Sequence, residues 1–188
     1  MKAVILAGGL GTRLRPYTSV IPKPLMPVGQ KPILEWLLNK MVNNGFEDIF
    51  ISVGYLAALI EAYCGDGSKY GAKITYLRED KPLGTAGGLE KLRGKIKGNF
   101  VVSNCDVIFD FNFNKLIKTH VNKKNDLTLV TSNQTSILPY GVCKINSQNE
   151  LINIQEKPKY KHLITTGLYI LNSSVLNLIP KNKFLDMN

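Results

Sequence analysis

Apolar and polar positions along the chain alternate between two periods. Lys2 to Ala7 holds the unbroken apolar run Ala3-Val4-Ile5-Leu6-Ala7, the pattern of a strand buried on both faces. Pro32 to Asn43 then sets Ile33, Leu34, Leu37, Leu38 and Met41 at helical spacing, with proline at the start and Gly45 just past the end. Further strands are predicted over Asp48 to Val53, Ala72 to Arg78 and Asn99 to Ser103. Helices are predicted over Tyr55 to Tyr63, closed by Gly65 to Gly67, over Ala86 to Ile96, where Gly87, Gly88 and Gly94 weaken the pattern, and over Asn114 to Val121. Asp126 to Ser132 is β-branched and extended, and three strand-like runs follow at Val142 to Ile145, Leu151 to Gln155 and Leu163 to Leu171.

The first 130 residues therefore read as successive βαβ units. Such alternation predicts an α/β fold, a Rossmann-like three-layer α/β/α sandwich around a mostly parallel (mixed) central sheet, with ligands at the carboxyl ends of the strands. The loops that carry chemistry are then those that follow strands: residues 8 to 15, Leu83 to Gly88, and Asn104 to Val107.

Composition narrows the class. A chain of 188 residues is long enough for one well-buried core, and residues 1–188 are expected to form a single domain, without internal repeats or low-complexity tracts. No run approaches the roughly 18 apolar residues of a membrane span, and Met1-Lys2 leads straight into a strand, so a soluble, cytoplasmic chain is expected. Cys64, Cys105 and Cys143 are odd in number and widely spaced, which favours reduced, structural thiols over a disulfide framework or a zinc site. The net charge of +10 is spread along the sequence without interleaved aromatics. It suits anionic small molecules such as nucleotides and sugar phosphates better than nucleic acid. Oligomeric state stays open, and a homo-oligomer is compatible with the sequence.

The most informative segment follows the first strand. Gly8, Gly9 and Gly11 leave the backbone free to approach a polyanion, and Arg13 adds a planar cationic fork. A dinucleotide fingerprint counted from Gly9 and Gly11 would need glycine where Leu14 stands, and no acidic residue closes a second strand about 20 residues on. A Walker loop would need Lys-Ser/Thr at an offset this segment lacks. A phosphate site outside both classes remains.

With these loops placed, the chain resembles the sugar-1-phosphate nucleotidyltransferase family. Leu6 to Pro32 follow its signature L-A-G-G-x-G-T-R-L-x-P-x-T-x-x-x-P-K-P-L-x-P-V-x-x-K-P. Gly84-Thr85-Ala86-Gly87, Asn104 to Asp106, Glu156-Lys157-Pro158 and Thr166-Gly167-Leu168-Tyr169 match its later motifs in order. Within the family the chain is most similar to the mannose-, heptose- and glucosamine-1-phosphate branch that often carries guanylyltransferases. The resemblance implies the nucleotide-diphospho-sugar transferase fold and attack of a sugar-1-phosphate oxygen on the α-phosphorus of an NTP, releasing pyrophosphate. A phosphate monoester has a second pKa of about 6, so such a nucleophile is already anionic at neutral pH and needs no general base. His120 and His162, the two histidines, are accordingly expected at the surface.

By the same resemblance, Leu6, Ala7, Gly8, Gly9, Gly11 and Thr12 line the nucleotide site. Arg13 stabilises the departing phosphates and Lys23, held between Pro22 and Pro24, reaches the α-phosphate and the sugar phosphate. Asp106 closes an apolar strand, where a carboxylate needs a partner, and Mg²⁺ is the partner the family implies. Gly141, Glu156, Lys157, Thr166 and Gly167 fall at the family's sugar-phosphate positions. The base is read from the loop of Gly84 and Thr85 and from Glu79, five residues before that glycine; a carboxylate there suits the donors of guanine, so GTP is favoured.

Two departures stand out. Thr165 replaces an Asn common in the family, which leaves the sugar open. Relatives continue to a Trp-x-Asp-Ile-Gly-like segment whose Asp is a second metal carboxylate, so the chain is expected to lack the C-terminal part of the family fold, with Asp186 as the alternative ligand. The competing readings are a catalytically weak nucleotide-sugar binding or regulatory module, and a uridylyl-, cytidylyl- or thymidylyltransferase of the same fold.

Overall fold

The computed structural model describes residues 1–187. In chain order its main elements are β1 (Lys2–Leu6), β2 (Pro27–Val28), β3 (Lys31–Pro32), α1 (Ile33–Asn43), β4 (Asp48–Val53), α2 (Ala57–Cys64), β5 (Lys73–Arg78), α3 (Gly84–Gly87), β6 (Asn99–Asn104), α4 (Phe113–Asn122), β7 (Leu127–Ile137), β8 (Gly141–Ile145), β9 (Leu151–Glu156) and β10 (Lys159–Asn172). Among these residues the principal sheet runs β5-β4-β1-β6-β10-β7. β1 pairs in parallel with β4 and β6, and β4 with β5, whereas β10 meets β6 antiparallel. The mixed, mostly parallel α/β sheet expected from the βαβ pattern is therefore present.

The apolar runs explain why β1 lies inside. Ala3, Val4 and Ile5 are fully buried, as a strand covered on both faces requires. Val4, Phe50, Leu77, Val102, Tyr169 and Leu171 pack with Leu89, Leu92, Leu176 and Ile179 into one core cluster, while Leu34, Leu37, Leu38 and Met41 form the buried stripe of α1.

Two compact units divide the chain: Met1–Leu129 together with the chain from Gly167 on, and Val130–Thr166. The first holds the core and the parallel strands. The second holds the hairpin of β8 and β9, whose register pairs Gly141 with Glu156 and Cys143 with Ile154.

Three expectations need correction. The helix predicted over Ala86 to Ile96 is α3 followed by a 3₁₀ turn over Gly88–Leu92, after which Arg93 turns extended. Glycine is a poor helix former, and the Arg93 guanidinium donates to the carbonyls of Leu176 (2.8 Å) and Ile179. β7 and β10 are longer than the sequence pattern implied, because polar positions continue the strands, Asn133 to Ser136 in β7 and Lys159, Lys161, His162 and Asn172 in β10. His120 is buried, only 1% exposed, and not a surface residue. It stands seven residues after the buried Phe113 on α4, so the apolar face of that helix carries it inward. His120 Nδ1 shares a hydrogen bond with Thr128 Oγ1 at 2.8 Å, and Nε2 has no hydrogen-bond partner among the described residues. His162 is exposed, as expected.

Candidate active site

Leu6 is in register with Ser52 of β4 and Asn104 of β6, and Ser52 with Leu77 of β5. The segments following these strands thus emerge at one edge of the sheet, the carboxyl edge where α/β folds bind ligands. A cavity of about 430 Å³ opens there, within the range typical of small-molecule sites. Its walls include Leu6, Ala7, Gly8, Gly9, Gly11, Thr12, Arg13, Lys23, Glu79, Gly84, Thr85 and Asp106, so all the residues proposed for nucleotide and metal come together in one place.

The glycine loop is built from its neighbours. Ala7 N–H donates to Ser52 O at 2.9 Å, and beyond it the chain leaves the sheet. Gly11 sits at φ +62°, a left-handed conformation that glycine adopts without penalty. The buried Thr18 fixes it by donating Oγ1 to Gly11 O at 2.9 Å. A Cβ on Gly11 would lie 2.9 Å from Thr18 Cγ2 and 3.2 Å from Lys23 Cβ, whereas one on Gly9 would meet nothing within 4 Å. Sequence reasoning missed Thr18 as a positioning residue, although it is the second threonine of the first motif.

Lys23 opens a 3₁₀ turn, Lys23–Leu25, entered through extended Pro22. Its ammonium donates to Asp106 Oδ2. Asp106 lies in the turn that follows β6, beside Cys105, whose thiol burial pushes up to about 12 and so keeps protonated at neutral pH. Arg13 is exposed at the cavity, and among the described residues no carboxylate pairs with it. Lys31, also part of the first motif, instead pairs with Glu35 at 2.8 Å, away from these walls.

The far wall is a loop held by two carboxylates. Glu79 accepts from Ser52 Oγ through Oε1 and from Leu83 N–H through Oε2 at 3.1 Å. Gly88 packs so closely that a Cβ there would overlap Glu79 Oε1. The second carboxylate comes from the late segment 183–187. Asp186 Oδ1 accepts from Thr85 N–H (2.9 Å) and Thr85 Oγ1 (3.2 Å), and Met187 N–H donates back to Thr85 Oγ1 (2.8 Å). Leu185 O accepts from Ala86 N–H and Gly87 N–H, so this strap supplies partners for the first amides of α3. Thr85 N–H and Oγ1 are thereby engaged within the protein, and Gly84, at φ +78°, is packed directly under the strap.

The donor set can be judged for a metal. No group of three His, Cys, Asp or Glu side chains that could hold one occurs among the described residues. Of the cavity carboxylates, Glu79 and Asp186 are each engaged by two protein donors, whereas Asp106 has the single partner Lys23 on Oδ2. A single carboxylate supplemented by phosphate oxygens and water fits Mg²⁺, which seldom takes an all-protein cage.

In the second unit Gly141 and Glu156 are register partners, and a Cβ on Gly141 would stand 3.0 Å from Glu156 Oε2. Lys157 follows at φ +46°, uncommon for a side chain-bearing residue, with its N–H donating to Tyr140 O at 3.2 Å. These three residues are thus grouped at the mouth of one hairpin. Thr166 Oγ1 donates to Val130 O at 2.8 Å. Gly167 belongs to the first unit, at φ +73°, where a Cβ would overlap the Asn104 amide.

The sequence matches the family described as Nucleotidyl transferase over residues 2–186. The chain belongs to the nucleotidyl transferase family. It is 36% identical over 205 residues to a UTP–glucose-1-phosphate uridylyltransferase of Synechocystis, covering 100% of this chain and 53% of that protein. A D-glycero-alpha-D-manno-heptose 1-phosphate guanylyltransferase of Aneurinibacillus thermoaerophilus is 36% identical over 180 residues, covering 93% of this chain and 76% of that one. Among solved structures, HddC of Yersinia pseudotuberculosis, complexed with GMP-PN, superposes with a TM-score of 0.77 at 28% identity, covering 98% of this chain and 82% of that one. The chain spans about half the length of many of the curated nucleotidyl transferase relatives it matches. No helix among the described residues is long and apolar enough to cross a membrane.

Proposed function

We propose that this chain carries nucleotidyl transfer from an NTP, with GTP favoured, to a sugar-1-phosphate in the cytoplasm. The observation that carries the reading is the convergence of the glycine loop, Arg13, Lys23 and Asp106 on one cavity at the carboxyl edge of the sheet. An oxygen of the sugar phosphate attacks the α-phosphorus, the α–β phosphoanhydride bond breaks, and pyrophosphate departs with the electron pair. Gly8, Gly9, Gly11 and Thr12 present main chain to the phosphates. Arg13 neutralises the leaving pyrophosphate with its fork, a contribution worth about 10²–10³ in turnover for one preorganised donor. Lys23 meets the α-phosphate and the incoming phosphate as a compact charge.

Asp106, with phosphate oxygens, would hold Mg²⁺, which when bound would supply electrostatic neutralisation of the triphosphate. Glu79 spends two acceptor sites on Ser52 and Leu83 and keeps others for the N1-H and exocyclic amine of guanine. The guanylyltransferase names among the relatives support the same base. The family resemblance assigns Gly141, Glu156 and Lys157, grouped at their hairpin, to the sugar phosphate, and gives Thr166 and Gly167 to the same substrate.

A pyrophosphate-release screen over four NTPs and a panel of hexose- and heptose-1-phosphates tests this. Release that requires GTP, a sugar-1-phosphate and Mg²⁺ together supports it. Release with another NTP moves the base assignment to a different transferase of the same fold. Nucleotide or nucleotide-sugar binding without any release overturns the transferase reading in favour of a binding module.

A further inference from the structure

Lys23 and Asp106 are assigned separate tasks by the nucleotidyl reading, yet their side chains are joined. Lys23 Nζ donates to Asp106 Oδ2, and each side chain is 35% exposed at the cavity. An ammonium and a divalent cation are both drawn to the lone pairs of a carboxylate, and side by side at Oδ2 their like charges repel, so each weakens the binding of the other. The other cavity carboxylates offer the cation no better seat, since Glu79 is held by Ser52 and Leu83 and Asp186 by Thr85.

Resting on the nucleotidyl reading, we propose that Lys23 guards the metal carboxylate, so that the divalent cation and the triphosphate are taken up together and not metal first. The ammonium holds the place of the cation at Oδ2. Incoming phosphate oxygens draw Lys23 away, because a polyanion offers it more acceptors than one carboxylate does. The same oxygens complete the coordination of the metal that replaces it. Lys23 thereby arrives at the phosphates only when the metal is seated. An exposed ion pair of this kind is weak, so the exchange is easily reversible. Backbone geometry favours the hand-over: Lys23 is the first residue of a short turn fixed by Pro22 and Pro24, so its flexible side chain alone needs to move.

The test measures binding of Mn²⁺ alone to the full chain without nucleotide, by the loss of the free-ion electron paramagnetic resonance signal. Lys23→Met is expected to bind Mn²⁺ roughly two- to fivefold more tightly than wild type, the range open to an exposed ion pair. Lys23→Arg, which keeps a cation at the position, is expected to show no such gain, and Lys23→Met with Asp106→Asn to lose it. Thermal unfolding of each variant shows that the fold is kept. Lys23→Met binding Mn²⁺ no more tightly than wild type overturns the proposal, as does a gain that survives Asp106→Asn. If Mn²⁺ behaves as expected while no NTP binds, the guarded carboxylate stands and the nucleotidyl reading falls. If an NTP binds and turns over while Lys23→Met gains no metal affinity, the reading stands and the guard falls.

Discussion

Alanine placed at Gly11 and at Gly9 separates what the loop needs for itself from what it needs for a ligand. At Gly11 the backbone is left-handed, φ +62°, which costs an alanine about 1–2 kcal/mol. Its Cβ would also stand 2.9 Å from Thr18 Cγ2 and 3.2 Å from Lys23 Cβ. Thr18 is 2% exposed and cannot retreat without weakening its bond to Gly11 O, a further loss of about 0.5–1.5 kcal/mol. Together these give roughly 2–3 kcal/mol, or a fall in Tm of about 4–12 °C for a chain of this size. At Gly9 no atom lies within 4 Å of the new Cβ and φ is not positive, so stability is expected to stay within about 0.5 kcal/mol of wild type. Nucleotide affinity of Gly9→Ala is nonetheless expected to fall about tenfold or more, because on the proposed reading phosphates approach the main chain where the added methyl stands. Differential scanning calorimetry and isothermal titration with GTP read the two effects. A Gly11→Ala chain that melts within 1 °C of wild type, to an accuracy of roughly 0.3 kcal/mol, refutes the loop geometry; a Gly9→Ala chain that binds GTP undiminished refutes the phosphate cradle.

Three further substitutions probe the cavity walls and the buried face of α4. Asp186→Ala removes the acceptor for Thr85 N–H and Oγ1, and because the contact is exposed the expected loss is about 1 kcal/mol, read by urea unfolding; no change in midpoint contradicts a structural strap. Glu79→Gln keeps an acceptor for Ser52 but adds an amide donor, so discrimination of GTP over UTP is expected to fall by about tenfold or more, and unchanged discrimination removes Glu79 from base selection. Burial holds the His120 imidazole below its ordinary pKa, with the Asp126 charge opposing. Between that lowered value and about 6.5 the unfolded chain binds a proton that the folded chain refuses, so the stability contribution is full above 6.5 and is lost as the pH falls through this window, by at most about 1.4 kcal/mol per pH unit. The stability advantage of wild type over His120→Asn is therefore expected to shrink between pH 7.5 and 5.5 in urea titrations, and a constant difference contradicts the buried neutral ring.

Much of the parallel sheet was legible because β1, β4 and β6 are continuous apolar runs, and a strand covered on both faces has no other pattern. The loops after them were legible for the same reason, since strand ends in register bring Gly8, Glu79 and Asp106 to one edge. What escaped depends on contacts between distant residues. The partner of Asp186 is Thr85, 101 positions away, and no periodicity encodes it. The pairing of Lys23 with Asp106, 83 positions apart, was hidden in the same way. His120 is different: its position seven residues after Phe113 signalled burial, but the surrounding Lys115, Lys118 and Lys123 outweighed the helical face in the reading. The break after α3 was foreshadowed by Gly87 and Gly88, whose low helix propensity prevailed over the apolar spacing of Leu89 and Leu92.

The central claim is that Arg13, which lines the same cavity as the glycines and Asp106, receives the phosphates of a nucleotide. Titrating GTP with Mg²⁺ into wild type and Arg13→Met by calorimetry tests it most directly. Charge-assisted bonds of a guanidinium to phosphate are worth about 1.5–3 kcal/mol, so the variant is expected to bind roughly 10- to 150-fold more weakly at an unchanged melting temperature. Equal affinity in the two proteins would contradict the account.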